Sequence, residues 1–273
     1  MLFRSVAEGG PTIGVLSKGF VESGGRIRLI TEAVEELLPP SYAGNVVYIS
    51  GPSHAAEVAR GKITGLIAAC RNGTNAIRYR ELMSGGTLVL FPSLDVRGVQ
   101  VCAAVKNVIA IGFGILDALK EYSGMFGDNT ESLLLASGLS EIQRIGMAMG
   151  ATHPETFASL AGVGDLDVTC RSEYGRNRRL GREIILDRLL DRYESIETLT
   201  AGLPDLGYFA EGVVATGYVR RLAAEHGLDL PICSGVYRIL NREAEPLAAV
   251  QEILQMITGV GRRSRRPRAR RRR

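Results

Sequence analysis

Hydrophobic and polar positions divide the chain into two stretches with different periods. Up to Pro92, short apolar runs alternate with segments of helical spacing. Thr12–Ser17, Asn45–Ser50, Gly65–Cys70 and Thr87–Phe91 read as strands. Ile27–Leu38 reads as a helix, with Ile27, Ile30, Val34, Leu37 and Leu38 on one side and Pro39-Pro40 as its stop. Ala55–Arg60, closed by Gly61, and Asn75–Met83 are further helical segments. Strand and helix in alternation predict an α/β layer with a substantially parallel sheet.

After Pro92 only helical patterns follow. Asp95–Leu119 opens this region and is expected to loosen at Gly112 and Gly114. Asp128-Asn-Thr-Glu131 places an acid and a glutamate three residues apart, a helix start, after a polar loop over Lys120–Gly127. Pro154 starts a short helix; Glu211–Glu225, Ser234–Asn241 and Leu247–Ile257 complete the set. The expected architecture is a partial Rossmann-like parallel sheet layer over residues 1–93, then an all-helical domain over 94–261.

One run breaks the pattern. Val101–Leu116 is apolar throughout except for Lys106 and Asn107. An unpaired ammonium inside a buried helix costs several kcal/mol, and desolvation lowers a lysine pKa toward the range useful for proton exchange. The competing reading is a lysine whose stem runs along apolar surface while its head reaches water.

Composition adds limits. The formal charge of +4 comes from nine arginines among residues 262–273; without them the body is at −5. Such a tail could bind nucleic acid or anionic surfaces, but no aromatic residue interleaves it, which favours a disordered extension. Cys70, Cys102, Cys170 and Cys233 lie far apart, as suits buried thiols in a reducing cytoplasm, and the three histidines show no metal-binding spacing. No uninterrupted apolar run reaches the ~18 residues that span a bilayer, and the N-terminus has no secretion-signal pattern.

Three loops could carry chemistry. Gly51-Pro-Ser-His-Ala55 joins a strand to a helix, where backbone N–H groups and Ser53 could face an anion. Gly162-Val-Gly-Asp-Leu166 sets Asp165 among glycines and apolar residues, as a helix cap or as a site carboxylate. Gly175-Arg-Asn-Arg-Arg179 is an exposed basic helix start or a fork-shaped phosphate clamp.

Taken in order, Lys18-Gly19, Ser50-Gly-Pro-Ser53, Ala104-Val-Lys-Asn-Val-Ile-Ala110, Gly127-Asp-Asn-Thr130, Ala161–Leu166 with Thr169-Cys170, Gly175–Arg179 and Ala210-Glu-Gly212 resemble the NAD(P)-dependent glycerol-3-phosphate dehydrogenases. The resemblance runs from about Ser17 to about Ile257. It implies interconversion of dihydroxyacetone phosphate and sn-glycerol 3-phosphate with NAD or NADP as cofactor, for phospholipid synthesis, in a cytoplasmic homodimer. By the same resemblance Lys106 is the catalytic acid/base. Lys18, Gly51, Ser53, Asn107, Asp165, Gly175, Arg176 and Asn177 contact substrate together with Lys106. Lys18, Ala55, Arg176, Phe209 and Glu211 contact the cofactor. Hydroxyacyl-CoA and 6-phosphogluconate dehydrogenases share the two-domain plan, but their motifs are not evident here.

Three departures stand out, the first being a loop between Gly114 and Gly127 that is expected to be longer than in the common bacterial pattern. Gly175 occupies a position where bacterial relatives commonly carry serine. The Gly-x-Gly-x-x-Gly turn that holds a dinucleotide pyrophosphate does not occur in this sequence. The chain therefore reads as beginning part-way through the nucleotide-binding layer. A truncated reading frame is expected, with Met1-Leu-Phe-Arg-Ser5 as an assembly scar. The alternatives to a working enzyme are an inactive fragment and an anion binder acting through the arginine tail.

Overall fold

The computed structural model describes residues 11–259. Met1–Ser5 and the arginine-rich 262–273 lie outside the described residues. The first part contains β1 (Ile13–Val15), β2 (Phe20–Ser23), β3 (Arg26–Leu29), α1 (Ile30–Leu37), β4 (Val46–Ser50), α2 (Ala55–Ala59), β5 (Thr64–Ala69), α3 (Gly73–Met83) and β6 (Leu88–Ser93). Four strands form one sheet in the order β1-β4-β5-β6.

The sheet is mixed. β1 pairs with β4 and β5 with β6 in parallel, whereas β4 and β5 are antiparallel, with Ile49 opposite Ala68. A parallel return needs a crossover helix laid against the sheet. All five residues of α2, between β4 and β5, are instead exposed, so the chain turns back directly. Pro92 sits in β6, an edge strand, where a missing N–H does no harm.

β4 is buried at all five positions. Val47 and Ile49 pack with Leu66, Ala68, Ala76 and Leu90 on one face of the sheet. Tyr48 points the other way, to Ile67, Ala69, Val96, Val99 and Ala103. That second face rests on the helical region, and the end of β4 is thereby fixed beside it.

The expected helix over Ile27–Leu38 begins later than its spacing suggests. Gly24 and Gly25, at φ +58° and +72°, make the two-residue turn of a β2–β3 hairpin, and Arg26–Leu29 is its second strand. The helix starts at Ile30. Thr31 at its first turn exchanges two hydrogen bonds with Gln100, at 3.0 and 2.7 Å.

The second part comprises α4 (Val96–Lys120), α5 (Asp128–Ala148), a π turn (Leu160–Gly164), α6 (Asp165–Arg171), α7 (Arg176–Leu186), α8 (Ile196–Gly202), α9 (Glu211–His226), α10 (Pro231–Leu240) and α11 (Pro246–Thr258). Asp95 caps α4 by accepting from Gly98 N–H at 3.0 Å, and also accepts from Thr152 N–H and Thr156 Oγ1. α5 starts at Asp128 as its pattern indicates, but Glu131 pairs with Lys120 at 2.6 Å rather than closing a capping box.

α4 is the axis of this half, with α5, α6, α7, α9 and α10 packed around it. Every residue in it is buried except Arg97, Asp117 and Lys120, and each of those is ion-paired. It is apolar and long enough to cross a membrane, and it is wholly enclosed by the protein.

α4 is also continuous: the expected loosening at Gly112 and Gly114 does not occur. These glycines serve packing. A Cβ on Gly114 would lie 2.0 Å from Arg178 O on α7, and one on Gly181 of α7 would lie 2.2 Å from Ile111 O on α4. The two backbones nearly touch, which only residues without Cβ allow. Gly181→Ala is expected to cost about 1–3 kcal/mol of stability through overpacking, read as a lowered urea midpoint.

Candidate active site

Three pieces of chain converge on Lys106 of α4 and its partner Asp165. From α6 comes Asp165, whose Oδ1 accepts directly from Lys106 Nζ. One helical turn on, Thr169 Oγ1 accepts from Lys106 Nζ at 2.9 Å and donates to the Asp165 carbonyl at 2.6 Å. From the loop after β1 comes Lys18, its Nζ 3.4 Å from Asp165 Oδ2. From the end of β4, Ser50 Oγ donates to the same oxygen at 3.4 Å. Lys106 is 5% exposed, Asp165 1% and Lys18 26%, so the lysine does not snorkel.

The approach of Asp165 depends on the π turn before it. A Cβ on Gly162 would sit 1.9 Å from Phe157 O, so the turn closes only around glycine. Ser159 Oγ accepts from Ala161 N–H at 3.2 Å and starts it. Asp165 is the first residue of α6, yet its side chain turns to Lys106 rather than capping a helix.

Burial pushes Lys106 down from the ordinary lysine value to about 7, and the neighbouring Lys18 pushes it further the same way, while Asp165 opposes both. Two lysines around one carboxylate leave the cluster with net positive charge, which suits an anionic ligand.

A second group lies one residue along α4. The Asn177 carboxamide oxygen accepts from Gly212 N–H at 2.8 Å, and a Cβ on Gly212 would lie 2.6 Å from Asn107 O. The N-termini of α7 and α9 are thus pressed onto α4 beside the catalytic candidate. Arg176, at the start of α7, pairs with Glu211, at the start of α9, at 2.6 Å and remains half exposed.

Of the three arginines in the Gly175–Arg179 loop, which the sequence offered either as a clamp or as an exposed helix start, only Arg176 lies beside Asn177 and Glu211. Arg178 and Arg182 bind Asp117, and Arg179 binds Glu183 and lies over the Tyr208 ring. Gly175 fits its position for a steric reason: a Cβ there would lie 2.9 Å from Thr169 O and 3.2 Å from Ser172 O.

Gly51 directly follows Ser50 at φ +128°, with its Cβ direction closed by Gly65 and Leu66. Ser53 Oγ donates to Gly51 O at 3.1 Å and is otherwise open to solvent. Ala55 and Phe209 are exposed, Phe209 by 46%. None of Ser53, Ala55 and Phe209 makes a hydrogen bond to the Lys106 cluster among the described residues. No grouping of three potential metal ligands occurs among the described residues.

Two members of the cluster carry no role in the sequence reading, Thr169 and Ser50. Thr169 had a usable signal, since residues i and i+4 share a helix face and Asp165 was already a candidate. Ser50 is a polar residue ending a buried strand, a pattern that points to a site only once the strand's neighbours are known.

The chain matches the family model of the NAD-dependent glycerol-3-phosphate dehydrogenase C-terminus over residues 95–251 and that of the corresponding N-terminus over residues 4–76. It is 60% identical over 245 residues to a glycerol-3-phosphate dehydrogenase (NAD(P)+) of Treponema pallidum, covering 89% of this chain and 69% of that relative. A Treponema denticola protein of the same name is 56% identical, covering 90% of this chain and 69% of the relative. Among solved structures, glycerol-3-phosphate dehydrogenase from Coxiella burnetii is 34% identical with a TM-score of 0.74, covering 89% of this chain and 69% of that one.

Removing Asp165 tests the electrostatics of the cluster. Asp165→Ala leaves Lys106 buried without its counter-charge, so the loss of stability is expected to be largest at mildly acid pH, about 3–5 kcal/mol, and smaller near neutrality, where the amine loses its proton instead. A lysine depressed in the fold binds fewer protons there than in the unfolded chain, so stability rises with pH between the two pKa values. Without Asp165 the folded-state pKa of Lys106 falls below its wild-type value of about 7, so the deficit of Asp165→Ala should shrink as pH rises from about 5 to 7 and stay level above that, measured by denaturant titration.

Proposed function

Because the chain belongs to the NAD-dependent glycerol-3-phosphate dehydrogenase family, we infer that it interconverts dihydroxyacetone phosphate and sn-glycerol 3-phosphate. NADH or NADPH, when bound, supplies the hydride that reduces C2. The observation that carries this reading is the buried Lys106 ammonium, held by Asp165 and Thr169 and depressed toward neutrality.

Lys106 takes the part of general acid. As the carbonyl at C2 is reduced, negative charge collects on its oxygen, and an ammonium in a dry site stabilises that charge and then gives its proton. In the reverse direction the neutral amine accepts the proton. Asp165 keeps the Nζ in place, and the Thr169 hydroxyl, with its proton committed to a backbone carbonyl, fixes the second direction. Lys18 adds the charge that an anionic substrate requires. Arg176, Asn177, Asn107 and Gly175 are assigned to the substrate on the α7 side, and Gly51 and Ser53 on the β4 side.

We place the cofactor against Ala55, Phe209, Glu211, Arg176 and Lys18. The residues present fit its nicotinamide end: Phe209 offers open ring surface, and the Arg176–Glu211 pair offers a donor and an acceptor beside it. The proposed boundary between the cofactor and catalytic domains falls near residue 94, between β6 and α4. The buried, unpaired thiols fit a reducing cytoplasm. A homodimer belongs to this reading, and analytical ultracentrifugation reads it directly. Neither an inactive fragment nor an arginine-tail binder is favoured, since family models match both parts of the chain.

Lys106→Ala is expected to lower kcat by about 100- to 10,000-fold with little change in cofactor affinity; near-normal turnover would remove Lys106 from the mechanism. The pH dependence should have opposite signs in the two directions. Reduction needs the ammonium and should fall as pH rises through about 7, whereas oxidation needs the amine and should rise. Initial rates in both directions across pH 6–9 check this.

A further inference from the structure

The two loops assigned to the substrate come from different halves of the fold. Gly51–Ala55 leaves the sheet at the end of β4, and Ser172–Gly175 precedes α7. Among the described residues no hydrogen bond or ion pair joins them. What does join them is a pair of rings: His54 and Tyr174 lie 6.0 Å apart, centroid to centroid, tilted by 59°. That is the separation and inclination of a favourable aromatic pair.

His54 is present as a packed ring. Its Nε2 is buried and has no hydrogen-bond partner, so the imidazole contributes shape at the cost of an unsatisfied nitrogen. His54 also precedes the first residue of α2 without capping it through its side chain. On the other side, Tyr174 is held at the backbone: its N–H donates to Ser172 Oγ at 3.2 Å, and the following Gly175 N–H donates to Ser172 O at 3.1 Å. The Tyr174 ring is thus carried on a short turn that runs directly into Gly175 and the N-terminus of α7, where Arg176 and Asn177 begin.

We propose that the His54–Tyr174 ring pair sets the separation of the two substrate loops, making His54 a positioning residue for the phosphorylated substrate. This rests on the dehydrogenase reading above. The pair touches neither Lys106 nor Asp165, so its loss should weaken substrate binding and leave the proton transfer intact. Phenylalanine at position 54 keeps the ring and removes the unsatisfied nitrogen, so it should preserve the latch.

A double-mutant cycle with His54→Ala and Tyr174→Ala, together with His54→Phe, tests this by steady-state kinetics and by calorimetric binding of sn-glycerol 3-phosphate. Each alanine variant is expected to raise KM for dihydroxyacetone phosphate by roughly 2- to 10-fold with kcat little changed. The double variant should be no worse than the worse single one, because both remove the same contact. His54→Phe should keep the wild-type KM. Additive single effects, a His54→Phe as impaired as His54→Ala, or losses confined to kcat would each overturn the proposal. If His54→Ala fails to fold, the Tyr174→Ala and His54→Phe arms decide alone. A wild-type chain that neither turns over dihydroxyacetone phosphate nor binds sn-glycerol 3-phosphate would overturn the dehydrogenase reading and this inference together. An active wild type with additive variants would overturn this inference alone.

Discussion

The pairing of Lys106 with Asp165 inside α4's packing shell is the constraint the molecule is built around. A buried ion pair seldom gains stability over an apolar pair of the same volume, because both ions lose their hydration. Its presence in an otherwise apolar helix is therefore a cost tolerated for chemistry. The cost is contained by hydrogen bonding: Asp165 receives Lys106 on one oxygen and Lys18 with Ser50 on the other, and Thr169 takes up a second Lys106 donor. Four separate segments must be correctly placed for that to hold, which makes the cluster a test of the whole fold.

Those placements come from close backbone contact more than from long side chains. Gly114 and Gly181 let α4 and α7 approach until their backbones meet, and Gly212 does the same for the start of α9 against Asn107. The result puts two helix N-termini, carrying Arg176, Asn177 and Glu211, one residue along from the lysine. On the opposite side, β4 is fixed by burial on both faces, and its last residue, Ser50, is delivered to Asp165. Lys106 thus lies between a sheet-borne and a helix-borne group of side chains, and the loops leaving the two sides meet through the rings of His54 and Tyr174.

Glycines illustrate how the same residue carries different meanings in different settings. Gly24-Gly25 is a hairpin turn signal whose neighbours, Ile27 and Ile30, also satisfy helical spacing. The turn won because two consecutive positive-φ residues close a two-residue loop. At Gly112 and Gly114 the lower helix propensity of glycine, about 1 kcal/mol each, was outweighed by burial and by contact with neighbouring helices. Local preference in both cases was real, and tertiary packing decided which preference counted.

The chain by itself determined the alternation of strands and helices before Pro92, the all-helical region after it, and the anomaly of a lysine in an apolar run. Those are one-dimensional properties, fixed by the period and composition of neighbouring residues. The ordered motifs likewise named Lys106, Asp165 and Lys18 as residues of one site. Only the tertiary structure decided that Lys106 is buried, that Asp165 faces it rather than capping a helix, and that Arg178 and Arg179 are bound elsewhere. It alone recruited Ser50 and Thr169 and reversed β5 against β4. The contacts of Lys106, Lys18, Ser50, Thr169 and Arg178 join groups 59 to 147 residues apart, and no local pattern encodes how closely two backbones can approach.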